Sequence, residues 1–336
     1  MFSSARIAVT GSAGFIGSHL CQALLGRGAS VVGIDNMDPY YPLALKRANL
    51  AEINEGPGGE RFTQHEMDIC DTDALTRVLK DAGVQGVIHL AAKAGVRPSI
   101  ADPVAYARVN VVGTQSVLRA AHEAGCRQAV CASSSSVYGN NKKVPFSEDD
   151  PVEQPISPYA ATKLGCELIG RTHHHLTGMP TAMLRFFTVF GPRQRPDLAI
   201  SLFLDKVSRG EAIDRYGDGT SSRDYTYIND IIAGVLSAYS NIDVHGFRVW
   251  NLGGDHPTTL NELISAVESV VDRAAVINEM GMQPGDVERT WADLTRAGAE
   301  LGYAPSTAIL EGIAHQWAWM QRLNDAEGTD TGARTP

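Results

Sequence analysis

The chain has 336 residues, of which 43% are apolar and 20% are charged, and its formal net charge is −9. This is ordinary globular composition with enough chain to bury a large core. The acidic balance argues against a nucleic-acid-binding protein. No apolar run is long enough to span a membrane, so we expect no membrane association. Five scattered cysteines without a C-x-x-C pair, and a first strand beginning near the N-terminus, predict a cytoplasmic protein with reduced thiols.

The first 190 residues alternate short apolar runs with helical patterns, which is typical of an α/β fold with a doubly wound parallel sheet. Several runs are apolar without alternation, as expected of strands buried on both faces. The predicted strands cover residues 6–10, 30–34, 61–66, 86–90, 127–132 and 181–186.

After residue 190 the pattern loosens and predicts a smaller C-terminal α/β lobe over residues 191–323 that binds the substrate. Its predicted helices cover 199–209, 229–239, 259–271 and 307–323, and its predicted strands cover 212–216 and 248–252. The polar tail at 324–336 is predicted to be disordered.

A glycine-rich turn follows the first predicted strand directly and opens a helix. Its spacing is G-x-x-G-x-x-G, formed by Gly11, Gly14 and Gly17, with Phe15 and Ile16 starting the helix. Glycines let the backbone approach a pyrophosphate, and the helix N-terminus offers free N–H groups to that anion. The turn predicts a dinucleotide site and a Rossmann domain over residues 1–190.

An acid, Asp35, ends the second predicted strand about 20 residues after the turn, where a carboxylate accepts hydrogen bonds from ribose hydroxyls and repels a 2′-phosphate. We therefore predict NAD rather than NADP, although Asn36, Lys46 and Arg47 leave some room for NADP.

Further cofactor contacts are predicted after the third and fourth strands. Asp68, followed by Ile69, is placed to meet the adenine amino group. Leu90, Ala91 and Ala92 follow the fourth strand, and the two small side chains let the cofactor lie against the backbone.

Tyr159 and Lys163 form a Y-x-x-x-K pair on a predicted helix, which places them on one helix face. The lysine ammonium and a positive nicotinamide both favour the phenolate. The phenolate can take a proton from a substrate hydroxyl while the carbon loses hydride to NAD⁺. A serine of the run at 133–136, after the fifth strand, can bridge the reacting oxygen and the tyrosine.

Together these motifs resemble the extended short-chain dehydrogenases/reductases, in the branch of nucleotide-sugar epimerases and dehydratases. The resemblance spans residues 6–323 and rests on segments 11–17, 90–92, 110–114, 133–136, 159–163, 185–192 and 223–225. It implies that Ser134, Tyr159 and Lys163 form the catalytic set.

The resemblance also implies that Arg223 and the surroundings of Asp286 bind the nucleotide diphosphate. Some relatives carry an arginine where Gln283 stands, so this clamp differs, and Arg289 is a candidate to compensate. A homodimer through helices at 104–124 and 159–171 is implied as well.

The serine run separates the reactions of this branch. By resemblance, dehydratases carry Asp and Glu where this chain has Ser135 and Ser136, and the decarboxylases also carry a glutamate in this loop. Serines alone leave oxidation and reduction at one carbon, which predicts epimerisation through a 4-keto sugar.

The sugar is predicted from three further segments. Residues 94–99 and 191–197 are similar to those of UDP-glucuronate 4-epimerases, and Thr188 departs from the UDP-galactose type. Hydroxyls of Ser135, Ser136 and Thr188 and the guanidinium of Arg195 suit a sugar carboxylate. Arg97 is a further candidate for the diphosphate or for a mobile loop. The predicted reaction converts UDP-glucuronate to UDP-galacturonate.

Two alternatives stay open at this point. One is a 4-epimerase of UDP-N-acetylhexosamines or of their uronic acids, and the other is a non-catalytic NAD-binding regulatory protein. We expect no metal site at His173, His174 and His175, because consecutive residues of a helix point in different directions, and we predict a solvated helix surface there.

Overall fold

The computed structural model describes residues 2–281 and 288–331, with the side chains of its last helix described to residue 325. Its centre is a seven-stranded sheet in the order β3-β2-β1-β4-β5-β6-β10. Every neighbouring pair in this sheet is parallel. The strands are β1 Arg6–Thr10, β2 Ser30–Asp35, β3 Phe62–Glu66, β4 Gly86–His89, β5 Ala129–Ser134, β6 Thr181–Phe186 and β10 Phe247–Leu252.

Helices cover both faces of the sheet. The core on one face includes α1, α2 and α9, and the core on the other face includes α3, α6 and α7. These helices are α1 Phe15–Leu25, α2 Leu43–Glu55, α3 Thr72–Asp81, α6 Gly113–Glu123, α7 Pro158–Thr177 and α9 Ile228–His245. Short helices α4 Val96–Ala101 and α5 Pro103–Tyr106 precede α6, and a π-helical segment, Ala107–Val112, joins α5 to α6.

The smaller lobe holds two small sheets. One has the order β11-β9-β7, and the other pairs β12 with β8. Their strands are β7 Thr188–Phe190, β8 Ala212–Tyr216, β9 Ser222–Tyr227, β11 Pro257–Thr259 and β12 Val276–Met280. The remaining helices are α8 Ala199–Arg209, α10 Leu260–Val271, α11 Thr295–Leu301 and α12 Ile309–Thr331.

The predicted doubly wound α/β fold is confirmed, and all six strands predicted before residue 190 are present. The predicted division at residue 190 needs a correction for one strand. Phe247–Leu252, which we assigned to the smaller lobe, pairs with Thr181–Phe186 and completes the large sheet. Its buried Trp250 and Leu252 belong to the core of that sheet, so burial rather than chain position decides where the strand lies.

The C-terminal end also differs from the prediction. Helix α12 extends to Thr331, past the point where we predicted a disordered tail. Residues 332–336 of that predicted tail lie outside the described residues.

Candidate active site

A cavity of about 520 Å³ opens at the carboxyl ends of the parallel strands, where the strand order reverses between β1 and β4. This is where open α/β sheets bind ligands. Every residue predicted to bind the cofactor lines it: Gly11, Gly14, Phe15, Ile16, Gly17, Asp35, Asp68, Ile69, Leu90, Ala91, Ala92, Tyr159 and Lys163.

The glycine turn lines the cavity with backbone. Gly11 has a left-handed backbone with φ +74°, and a Cβ there would lie 2.9 Å from the amide nitrogen of Ala91. A Cβ on Gly17 would lie 2.0 Å from the carbonyl oxygen of Gly11. Gly11 meets the backbone of the loop after β4, and Gly17 meets the backbone of its own turn, so only glycine fits at these positions.

Asp35 is buried at the end of β2, and its carboxylate is held in place on two sides. It accepts hydrogen bonds from the amides of Met37, at 2.8 Å, and Ala13, at 3.3 Å. Lys46 donates to the same carboxylate at 3.1 Å, and both side chains are at most 8% exposed. The lysine that left room for NADP in the sequence therefore already has an acidic partner.

The predicted catalytic pair, Tyr159 and Lys163, lies at the start of α7. Ser157 caps this helix by accepting a hydrogen bond from the Ala160 amide at 3.1 Å. The Lys163 ammonium donates to the carbonyl oxygen of Ala132 at 2.9 Å, which ties the helix to β5. The Tyr159 ring meets the edge of Tyr106, with ring centroids 6.2 Å apart. Both members of the pair face the cavity.

The serine run turns sharply where β5 ends. The Ser134 hydroxyl accepts a hydrogen bond from the Ser136 amide at 3.1 Å and lies 3.1 Å from the Ser136 hydroxyl. A single turn of 3-10 helix, Ser135–Tyr138, follows. Ser134, Ser135 and Ser136 all line the cavity, so the turn presents hydroxyls beside the tyrosine and lysine.

A buried ion pair supports this turn from below. Arg185 donates to both carboxylate oxygens of Glu167, at 2.9 and 2.8 Å, and both side chains are at most 6% exposed. The Ser133 hydroxyl donates to the same carboxylate at 2.6 Å, and the guanidinium stacks 4.7 Å from the centroid of the Tyr138 ring. Sequence reasoning missed Glu167, although it lies four residues after Lys163 and thus on the same helix face.

Thr188 and Arg195 also line the cavity. The guanidinium of Arg195 donates to both oxygens of Asp197, at 2.9 and 2.7 Å, and stacks 4.8 Å from the centroid of the Tyr40 ring. Its side chain is 15% exposed. The arginine is therefore held rigidly by Asp197, a partner that the sequence analysis did not assign.

The remaining predicted substrate residues lie elsewhere. Neither Arg97 nor Arg223 is among the residues lining this cavity. Arg97 stacks on the Tyr216 ring of the smaller lobe at 5.0 Å, and Arg223 donates to the carbonyl oxygen of Ser222 at 3.0 Å. Asp286 and Gln283 lie outside the described residues. The diphosphate roles of these residues stay predictions.

The cavity also contains residues to which the sequence analysis gave no role. Lys93 lines it and forms an ion pair with Asp38 at 3.2 Å. Tyr40 and Tyr41 line it as well. Their position in the sequence could have identified them, because they lie in the segments that follow β2 and β4, and the carboxyl ends of these strands border the cavity.

The three consecutive histidines are not all on the surface. His173 is buried and meets the edge of His122, so our expectation of a solvated position is wrong for this residue.

Across the described parts of the chain, no cluster of three or more His, Cys, Asp or Glu side chains could hold a metal ion. Within residues 2–281 and 288–331, no helix combines the length and apolar character needed to cross a membrane.

Comparison with known proteins places this site in a family. The family model described as GDP-mannose 4,6 dehydratase matches residues 8–316. The chain belongs to this family.

Individual relatives in the family are more specific. The chain is 39% identical to a probable UDP-glucuronate 4-epimerase of Rhizobium meliloti, over 94% of this chain and 97% of that protein. It is 38% identical to the UDP-glucuronate 4-epimerase of Thermodesulfobacterium geofontis, over 93% and 95% of the two chains. The crystal structure of a UDP-glucuronic acid 4-epimerase from Bacillus cereus, in complex with UDP-glucuronic acid and NAD, has a TM-score of 0.88 at 37% identity and covers 95% of this chain and 99% of that one.

Proposed function

We propose that this protein is an NAD-dependent 4-epimerase that converts UDP-glucuronate to UDP-galacturonate. The observation that carries the proposal is the cavity wall: the tyrosine–lysine pair faces a turn of serines, and positions 134–136 contain no carboxylate. The family model bears the name of a dehydratase, but the acid and base that dehydration needs are missing from this turn. The relatives named as UDP-glucuronate 4-epimerases support the same reaction.

The residues of the cavity fit NAD. Gly11 and Gly17 line the cavity at the N-terminus of α1, where N–H groups stabilise an anion, and backbone atoms leave no room for a Cβ at either position. Asp35 presents a buried carboxylate at the far end, suited to ribose hydroxyls and opposed to a 2′-phosphate. When bound, NAD⁺ takes hydride from C4 of the sugar and returns it.

The proton of the C4 hydroxyl passes to Tyr159. Lys163 uses one of its three N–H donors on Ala132, which leaves two donors to stabilise the phenolate and other groups in the cavity. Ser134 is the hydroxyl that bridges the reacting oxygen and the tyrosine. The 4-keto sugar then rotates within the cavity and presents the opposite face of C4. The same tyrosine protonates the C4 oxygen when hydride returns to that face.

Oxidation at C4 creates a β-keto acid, which loses CO₂ when its carboxylate turns out of the ring plane. We propose that Ser135, Ser136 and Thr188 hold the carboxylate in an unproductive orientation without offering an acidic proton. Arg195 retains contact with the charge while the ring rotates. Because Asp197 already neutralises the charge of Arg195, the contact between this arginine and the sugar carboxylate orients the carboxylate and adds little net attraction.

The substrate is tested by separate incubations with UDP-glucuronate, UDP-glucose and UDP-N-acetylglucosamine, with each product identified by NMR. We expect the C4 epimer from UDP-glucuronate alone. Turnover of a neutral sugar only would contradict the carboxylate assignment and favour another 4-epimerase. Absence of turnover with every substrate would favour the non-catalytic NAD-binding protein.

Containment of the carboxylate predicts a change of product. In Ser136→Ala and Thr188→Ala, the by-product UDP-4-keto-pentose should rise about tenfold relative to epimer, the effect of weakening an interaction by about 1.4 kcal/mol. Ser208→Ala, whose hydroxyl donates to a helix carbonyl outside the cavity, serves as control. Unchanged product ratios in both cavity variants would reject the containment role.

We further propose a cytoplasmic homodimer whose subunits contact each other through the helices at 104–124 and 159–171. Support comes from apolar side chains on these helices that the single chain leaves exposed: Val104 at 78%, Val112 at 52% and Leu168 at 60%. Light scattering should give twice the mass of the chain, and Leu168→Glu should give monomers. A monomeric native protein would reject this assembly.

A further inference from the structure

His89 is a buried titratable residue that the proposed chemistry does not use. It ends β4 and lies between two threonines, with Nδ1 2.7 Å from the Thr10 hydroxyl and Nε2 3.1 Å from the Thr114 hydroxyl. Burial, reinforced by the nearby charge of Lys163, lowers the pKa of His89 to about 3. The ring is therefore neutral, and its two nitrogens have different roles.

The hydrogen bonds around Thr10 fix the direction on one side of the ring. The Thr10 hydroxyl oxygen accepts from the Ala91 amide at 3.1 Å and from the Leu90 amide at 3.1 Å, and the Leu90 amide also donates to the Thr10 backbone carbonyl at 3.2 Å. A hydroxyl oxygen has two acceptor positions, and both are filled. The Thr10 hydroxyl must therefore donate to Nδ1 of His89, and the ring proton must lie on Nε2.

The other side gives the same direction independently. The backbone carbonyl oxygen of Asn110 can only accept, so the Cys166 thiol, 3.2 Å away, donates to it. The sulfur in turn accepts from the Thr114 hydroxyl at 3.3 Å. The Thr114 oxygen is then free to accept the Nε2–H of His89. We call this series of hydrogen-bonded residues the His89 chain; its members in order are Thr10, His89, Thr114, Cys166 and Asn110.

Both ends of the His89 chain reach the active site. At one end, the held amides of Leu90 and Ala91 belong to residues that line the cofactor cavity. At the other end, the Asn110 side chain accepts from the Lys93 amide at 2.8 Å and donates to the Thr162 hydroxyl at 3.0 Å. Thr162 precedes Lys163 on α7.

We propose that His89, as the neutral Nε2–H tautomer, is a positioning residue that fixes the spacing between the cofactor floor and the catalytic helix. This role rests on the hydride chemistry proposed above. A hydrogen-bond chain with one allowed direction cannot reverse without leaving a buried donor or acceptor unpaired, which is costly. It therefore holds β4 and α7 at the separation that hydride transfer requires.

The tautomer is tested without substrate by ¹⁵N NMR of the intact protein labelled at histidine, with His89→Asn used to assign the signal. We expect a protonated Nε2 and an unprotonated Nδ1 that stay unchanged between pH about 6 and 9. A proton on Nδ1, or titration of the ring in this range, would overturn the assignment. A wrong substrate would leave this result unaffected, so the two failures are distinguishable.

The positioning role is tested by kinetics of the holoenzyme. His89→Asn keeps an acceptor at the position of Nδ1, and His89→Gln keeps a donor near Nε2. We expect kcat to fall about a hundredfold in His89→Ala, as for a small misplacement of reacting groups, with KM for UDP-glucuronate little changed. His89→Asn should recover most of the loss. An unchanged kcat in His89→Ala would reject the role. So would a fall in kcat accompanied by a rise in KM in every variant.

Discussion

The two ends of the active-site cavity are built differently. The cofactor end is a wall of backbone, where residues 11–17 come within contact of the loop after β4. The proposed sugar end is a wall of side chains from two separate parts of the chain, one at 134–136 and the other at 188 and 195. A backbone wall depends on local sequence and strand register, whereas a side-chain wall depends on the buried partners behind it. The two ends should therefore fail in different ways.

The largest effect is expected from Gly17→Ala at the cofactor end. Its Cβ would lie 2.0 Å from the Gly11 carbonyl oxygen, and no flexible side chain can move aside. We expect a loss of about 3 kcal/mol of stability and less than about a tenth of the wild-type bound NAD. Unfolding curves and the cofactor content of the purified protein measure both.

Gly26→Ala is the matched control at the other end of α1, because its Cβ would meet its nearest atom at an ordinary 3.4 Å. Equal cofactor content in both variants would mean that the close approach of the backbones does not shape this end.

The next effect is expected from Glu167→Gln beneath the serine turn. Removing one partner of a buried ion pair leaves the Arg185 guanidinium uncompensated, which costs about 3 kcal/mol or more. The amide group of the variant keeps one acceptor oxygen for Ser133, but it places an NH2 donor against the Arg185 guanidinium, so the support behind the serine turn weakens. Epimerisation should therefore fall while bound NAD is retained.

Glu123→Gln is the control for this variant, since its pair with Arg119 is exposed at the surface and its loss should leave activity unchanged. If Glu167→Gln lost its cofactor before its epimerase activity, the two ends would not be separate in the way we describe.

The smallest effect concerns the strand beside the sugar end. Glu300 accepts hydrogen bonds from Arg248 and Trp250 of β10, both at 2.8 Å, and the bond from Arg248 is the main reason that its pKa is lowered to about 2. A carboxyl group whose pKa is lower in the folded than in the unfolded protein stabilises the fold at pH values above its unfolded pKa. This stabilisation is lost as the pH falls through the folded pKa. Glu300→Gln should cost about 1 kcal/mol at pH 7, since the pair is partly open to solvent.

The cost of Glu300→Gln should disappear as the pH falls from about 5 to about 2. Chemical denaturation at several pH values follows it. A cost that did not change with pH would show that the carboxylate charge contributes nothing to this strand.

Much of the cofactor end could be predicted from the sequence because its determinants are contiguous. The glycine spacing, the acid that ends β2 and the small residues after β4 are each read within a few positions. A parallel sheet then brings the ends of these strands to one edge. Every predicted cofactor residue lines the cavity for this reason.

The supports of the sugar end could not be predicted in the same way. Glu167 and Arg185 come from a helix and a strand, and nothing local marks them as partners. Asp197 lies two residues from Arg195, but only the folded loop shows that its carboxylate binds two of the three guanidinium nitrogens. Strand β10 was assigned to the wrong unit because its pairing partner lies 66 residues away in the chain.

The central claim is that hydride leaves and returns to the same carbon while the serine wall keeps the carboxylate in place. It is tested most directly with UDP-glucuronate carrying deuterium at C4, using the purified holoenzyme without added cofactor and NMR of the product. We predict UDP-galacturonate that retains the deuterium at C4 and no release of CO₂. Loss of the label to solvent, or a pentose as the main product, would contradict the account.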